Sequence, residues 1–445
     1  MDRTRQIDVS GERIALDIGS TIVKVARVGP DDQLVAQHFY PRDFEAGIAN
    51  QVESLLDAAG VARDSTDVLV CSSANGGLRV GILCLTKRFS GAALRNQVLL
   101  AGANPIFVRD FDDDGGDSTR VDMLLVAGGI DCEDATPLEE RVRRFEPGNY
   151  RFGRLVYAGN RYLAGSFRER FPDASIVSNP LAETLSSRPG SVFEAVRRAY
   201  LDDLVYKEGV SELRSNLASG IRPTPEVVNR GLQRAVLNCS SVEVAGACVL
   251  LDIGGATTDL HYTVEIVREE SETKPSAGSS VARYVFTDLG TVASRDTLLL
   301  QMRSHPRLFE FLSTVLGAQV TEAYPLLREG EYQPSPQLLS YGCLFLALDR
   351  FAQGRGPGLP VAELGKVAQI ILTGGAAQGL VEEVVARVVN LLLADGGSNP
   401  AVLIDRNYRI WVDGITWSGD AQRGLDTSLR TFSDSPDDQD ESRAA

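Results

Sequence analysis

One strand-and-turn occurs twice in this chain. Residues 15–21 read ALDIGST, and residues 250–259 read LLDIGGATTD. Each is an apolar strand that ends in an aspartate and runs into glycine and hydroxyl residues. Glycine lets the backbone approach an anion closely with its N–H groups turned inward, and neighbouring hydroxyls add donors. A carboxylate at the strand end cannot bind phosphate itself, so its task would be to hold Mg²⁺ beside the phosphates through water. Two such turns, far apart in sequence, call for a fold whose halves close on one ligand like jaws.

At 445 residues the chain has room for roughly two to four structural units. Its 43% hydrophobic and 24% charged content is that of a globular protein, not of a disordered one. A net charge of -15 works against broad contact with nucleic acid or anionic lipid, which need a basic surface. The N-terminal residues carry no apolar signal core, and no run of ~18 uncharged apolar residues occurs. The expectation is a cytoplasmic protein with no nucleic-acid or membrane partner. The six cysteines show no CxxC pair and no Cys/His cluster, which points to tolerated or buried thiols and away from zinc.

The order of apolar runs divides the chain. Residues 1–66 read as a first subdomain with a hairpin across the first turn and a helix near 48–59. Residues 67–200 alternate short apolar strands with helices (VLVCSSA, RVGILCL, NPIFV, DMLLVAGG, RLVYAGN, SIVSN), the pattern of an inserted, largely parallel α/β region. Residues 201–245 form a helical connection, and 246–426 a second domain carrying the second turn. Helices are expected over 192–216, 225–237, 292–316, 336–353 and 379–394, and AVLIDRNYRIWVDG reads as a strand pair. The polar run at 268–280 reads as a mobile loop, and the acidic tail at 427–445 as disordered.

A third element, Ile370-Ile371-Leu372-Thr373-Gly374-Gly375-Ala376, is an apolar strand into a paired-glycine turn that opens a helix. Paired glycines let the chain pass against a flat ring such as adenine. Two acid–glycine–hydroxyl turns followed by this loop resemble the actin, heat-shock ATPase and sugar-kinase fold. That is a two-domain α/β, ribonuclease H-like architecture, here with an inserted parallel α/β region. The combination DIGST, SSANGGLRV, LLVAGGIDCED, VYAGN, RPTPEVV, DIGGATTD, TDLG, LTGG and LIDRNY is similar to the MutL (GlmL) family associated with glutamate mutase, over residues 14–417.

That resemblance implies an ATP- and Mg²⁺-binding ATPase acting as chaperone or reactivation partner of adenosylcobalamin-dependent mutase subunits. It puts Asp17 and Asp252 near the metal. Gly19, Ser20, Thr21, Gly254, Gly255, Thr257 and Thr258 would lie on the phosphates, and Gly374 and Gly375 along the adenosine. The chain departs from the family pattern at residues 128–134 and at Thr291.

Hydrolysis needs a group that positions water in line with the γ-phosphate. Asp259 and Asp131 are candidates by charge and place, but the plainer reading, which outweighs this one, is that Asp259 caps a turn and Asp131 caps the following helix. Two rivals keep the fold: a small-molecule kinase, and a nucleotide-gated interaction protein without turnover. A homodimer is compatible with either. Removing Asp17 or Asp252 should abolish Mg²⁺-dependent nucleotide affinity and leave the fold intact, on the premise that both acids sit in a solvated cleft. Residues 110–115 match half of a calcium loop, but position twelve would be Val121 where Glu is required. The three histidines form no triad.

Overall fold

The computed structural model describes residues 12–417, except 20, 44, 60–67, 74–76, 112–116, 182–189, 209–220, 238–239, 241, 245, 269–279, 357–358 and 394–398. The acidic tail, Ser20, most of the 268–280 run and most of the calcium-like loop therefore lie outside the described residues.

Among the described residues, fifteen strands build three sheets. In chain order the first nine are β1 Arg13–Ile18, β2 Ile22–Val28, β3 Leu34–Pro41, β4 Val68–Ser72, β5 Arg79–Cys84, β6 Asn104–Asp110, β7 Asp117–Ala127, β8 Tyr150–Tyr157 and β9 Ser175–Ile176. The remaining six are β10 Ile221–Pro223, β11 Cys248–Ile253, β12 Thr258–Thr263, β13 Val281–Phe286, β14 Gln369–Thr373 and β15 Ala401–Ile404.

The first sheet runs β3-β2-β1-β4-β10 and the second β13-β12-β11-β14-β15. In both, three strands form an antiparallel meander, and the other two join parallel beside the first strand. The architecture is thus the two-domain actin-like α/β fold expected from the paired turns. The third sheet, β6-β5-β7-β8-β9, is parallel throughout, as alternating strands and helices require.

Between the first two sheets lie two helices, Thr224–Val236 and Arg409–Thr416. They fill the space with Val227, Leu232, Ile410 and Trp411, against Ala15 and Cys71 on one side and Cys248 and Leu250 on the other. The outer face of the first sheet is covered by the helix Gly47–Ala59 through Ile48, Val52 and Leu56. The outer face of the second packs on the helix Pro336–Gln353, which is apolar nearly all round and correspondingly buried. The inserted sheet has helices on both faces, with Leu94 and Val196 on one and Leu138 and Phe167 on the other.

Two sequence expectations change. The strand Val68–Ser72, assigned above to the inserted region, pairs parallel with β1 and is the fourth strand of the first sheet; an apolar run reveals a strand but not its neighbour. The second half of AVLIDRNYRIWVDG is a helix, not a strand. Its start is fixed by Asp405, whose carboxylate accepts from the backbone N–H of Arg409 at 2.7 Å and of Ile410 at 3.1 Å, the role of a capping acid. Because Ile410 through Thr416 are all buried, no one-sided period distinguishes it from a buried strand. A further helix, Val320–Glu329, occupies a stretch that the sequence left unassigned.

Candidate nucleotide cleft

The two glycine turns close by the same hydrogen bond. Gly19 N–H donates to Ile22 O at 2.9 Å, and Gly254 N–H donates to Thr257 O at 2.9 Å. A Cβ on Gly19 would lie 2.8 Å from Ile22 O, so that turn excludes any other residue without a backbone shift. Register then sets the chemistry: Asp17 faces Lys24 across the first hairpin, and Asp252 faces Asp259 across the second. The turns meet, since a Cβ on Gly255 would sit 3.2 Å from Thr21 Cγ2. Between them lies a cleft of about 420 Å³, within the range of small-molecule sites.

Of the predicted residues, Asp17, Gly19, Thr21, Asp252, Gly254 and Gly255 line this cleft, as do Thr257, Asp259 and Gly375. Three described ones do not. Thr258 is fully buried and donates its hydroxyl to Leu289 O at 2.7 Å, so it braces the strand. Gly374, at φ +91°, supports the site from behind, because a Cβ there would lie 2.3 Å from Asp252 Oδ1. Asp131 is in the inserted unit after β7, where its Oδ1 accepts from Arg161 N–H at 3.0 Å and Asn179 Nδ2 at 3.3 Å. It fastens neighbouring loops of that sheet together.

The two matched acids differ in surroundings. Asp17 is 1% exposed and accepts from Lys24 Nζ at 2.6 Å, Thr224 Oγ1 at 2.6 Å and the Cys71 thiol at 3.5 Å. It is therefore not the solvated carboxylate that the sequence suggested. Burial works against the Lys24 ammonium, but Asp17 and Asp252 outweigh it and hold its pKa above the ordinary lysine value. Lys24 Nζ also lies 4.7 Å from the centre of the Tyr408 ring. Asp252 receives no hydrogen bond from any described residue. Burial, reinforced by Asp259 and Asp17 and opposed by Lys24 and Arg283, raises its carboxyl to about 7.

Asp259 is gripped by Arg283, whose Nε donates to Oδ1 at 2.8 Å and whose Nη2 donates to the same oxygen. Its Oδ2 is left with a long contact from Thr257 Oγ1, at 3.4 Å. Among the described residues no cluster of three or more His, Cys, Asp or Glu could cage a metal. A single open acid does suit a hard divalent ion that keeps most of its waters and binds phosphate oxygens. Asp252 fits that role, whereas Asp17 is already satisfied.

Sequence reasoning missed Lys24, Thr224, Arg283 and Tyr408. Lys24 had a signal: it is the one lysine in the strand IVKVARV, where a buried cation implies a partner. Arg283 carried the same signal, as the one cation in the buried strand VARYVF, and was overlooked.

A family model described as MutL protein matches residues 13–415. Protein MutL of Clostridium tetanomorphum is 25% identical over 265 residues, 56% of this chain and 57% of that protein, so the match spans little more than half of the relative. Among solved structures, the activator of the 2-hydroxyisocaproyl-CoA dehydratase from Clostridium difficile, with bound ADPNP, is 10% identical. It covers 98% of this chain and 100% of its own, with a TM-score of 0.33. A ROK family glucokinase from Streptomyces griseus, in complex with glucose and AMPPNP, is 13% identical over 91% of this chain and 98% of its own, with a TM-score of 0.31. With a family model that spans both turns and the helix pair between the sheets, the chain belongs to the MutL protein family.

Proposed function

We propose that this protein is an ATP-binding, Mg²⁺-dependent ATPase that serves as a chaperone or reactivation partner of adenosylcobalamin-dependent mutase subunits. The observation that carries the nucleotide part is the meeting of two equivalent glycine–hydroxyl turns, one from each domain, across one cleft that holds a lysine and an open carboxylate. The mutase part rests on family membership and on the glutamate mutase association of the family that the sequence resembles.

In this reading the phosphate chain lies between the two turns, bonded by backbone N–H groups and by the hydroxyls of Thr21 and Thr257. Lys24 supplies a cation whose position is fixed by Asp17. Gly375 and Ala376, at the rim of the cleft, pass along the adenosine. Asp252 would hold the metal, and magnesium, when bound, would neutralise phosphate charge. Asp259 turns Oδ2 toward the attacking water while Arg283 fixes Oδ1; orientation of this kind supplies most of the catalysis in phosphoryl transfer.

A second reading, a nucleotide-gated interaction protein without turnover, is favoured by that same Arg283 grip, which leaves Asp259 one oxygen with which to orient water. The test is phosphate release from Mg-ATP by the purified protein, alone and with a mutase whose cofactor has been inactivated. Release that rises with the mutase and falls about 100-fold in Asp259→Asn supports the ATPase. Bound ATP with no release in either condition selects the second reading, and an absence of ATP binding overturns both.

A further inference from the structure

Arg283 lies at the junction of two units. Its side chain is 1% exposed, and its guanidinium is divided between them. Nε and Nη2 hold Asp259 in the cleft, while Nη1 donates to Leu99 O at 2.7 Å and Ala103 O at 3.4 Å. Leu99 is in the last turn of the helix Ala92–Leu100 in the inserted unit, the end where a cation is favoured, and Ala103 is in the short connection that follows it. The same chain end reaches the other acid. Gly102, at φ +85°, packs so closely that a Cβ would lie 2.5 Å from Pro223 Cβ, and the next residue, Thr224, donates to Asp17. One short segment, 99–103, thus bonds the residue that holds Asp259 and packs against the neighbour of the residue that holds Asp17.

We infer that segment 99–103 couples the inserted unit to the nucleotide cleft, with Arg283 as the positioning residue that carries the coupling to Asp259. Closing the jaws changes the distance between Asp17 and Asp259, and a segment in contact with the partners of both must move or resist. The helix behind it is a rod of about 13 Å that begins at the π-helical turn Lys87–Gly91, where Lys87, Arg88 and Phe89 are exposed at the carboxyl end of β5. Its two ends therefore join the carboxyl-end edge of the inserted sheet to Arg283 and Pro223 beside the cleft. Whatever binds that edge would alter the grip on Asp259, and the nucleotide would alter the edge in return, since coupling is reciprocal.

The inference rests on the nucleotide reading given above, and its test separates the two. Hydrogen–deuterium exchange is measured on the full chain with and without Mg²⁺ and AMPPNP, for the wild type and for Arg283→Lys, which keeps the charge but loses the forked grip. In the wild type the analogue should slow exchange at residues 98–104 by about tenfold. In Arg283→Lys that response should vanish while the analogue still binds within about threefold of its wild-type Kd, and kcat for phosphate release should fall about 10- to 100-fold with KM for ATP little changed. A wild-type segment that does not respond while the analogue binds overturns the coupling and leaves the nucleotide reading intact. No binding overturns both. If Arg283→Lys does not fold, the wild-type comparison still decides. Gly102→Ala then tests the segment without touching a cleft residue: lowered kcat at unchanged KM supports the coupling, and unchanged kcat counts against it.

Discussion

Asp17 and Asp252 occupy matching positions, yet they are different acids. Asp17 is satisfied by three donors, so its removal would leave Lys24 buried with less compensation, a change that costs stability as well as affinity. The sequence could not show this, because Thr224 and Cys71 arrive from distant segments. Asp252 is the strained member. In the unfolded chain its carboxyl titrates near the ordinary 3.8, but in the folded protein it does so at about 7. Between those values the native state binds more protons than the unfolded state, so stability falls as pH rises through that window. The cost is absent below the lower value and complete above the upper one. Asp252→Asn should therefore unfold later in urea than the wild type at pH 8, by about 1–2 kcal/mol in the nucleotide-free protein, and the gain should disappear at about pH 3. An equal difference at both pH values would count against this account.

At the scale of elements, the helix pair Thr224–Val236 and Arg409–Thr416 decides how the two sheets are joined. The helices touch backbone to backbone at two glycines. A Cβ on Gly231 would lie 1.9 Å from Ile410 O, and one on Gly414 would lie 1.9 Å from Val227 O. Neither obstacle is a flexible side chain, so the crossing must open to admit a methyl group. Gly231→Ala is expected to lower the urea midpoint by the equivalent of about 1–3 kcal/mol and to weaken AMPPNP binding, because Thr224 on the same helix holds Asp17. An unchanged midpoint would show that the crossing gives way easily. Only half of this pair was legible in the sequence. The first helix declares itself by the proline near its start and a one-sided apolar face; the second is buried all round and read as a strand.

At the scale of the whole molecule, the paired turns were enough to predict two related domains, and the repeated sheet order bears that out. What the sequence did not disclose was sheet membership, as the strand Val68–Ser72 shows, since local patterns report that a strand exists and tertiary pairing decides beside which partner. A ligand gripped by both domains should stabilise the assembly by mass action. Mg²⁺ with AMPPNP at 100 times its Kd should add about 2.7 kcal/mol to unfolding, and omitting Mg²⁺ or using Asp252→Ala should remove most of it. A shift independent of both would place the ligand elsewhere.

The duplication also has an unequal partner. Opposite its strand-end acid, the first hairpin carries Lys24, whereas the second carries Asp259 at the same register. A cleft with true twofold symmetry could accept a chain of phosphates in either direction. Exchanging cation for anion at that one matched position gives the cleft a polarity, so an asymmetric ligand has a single preferred heading within it.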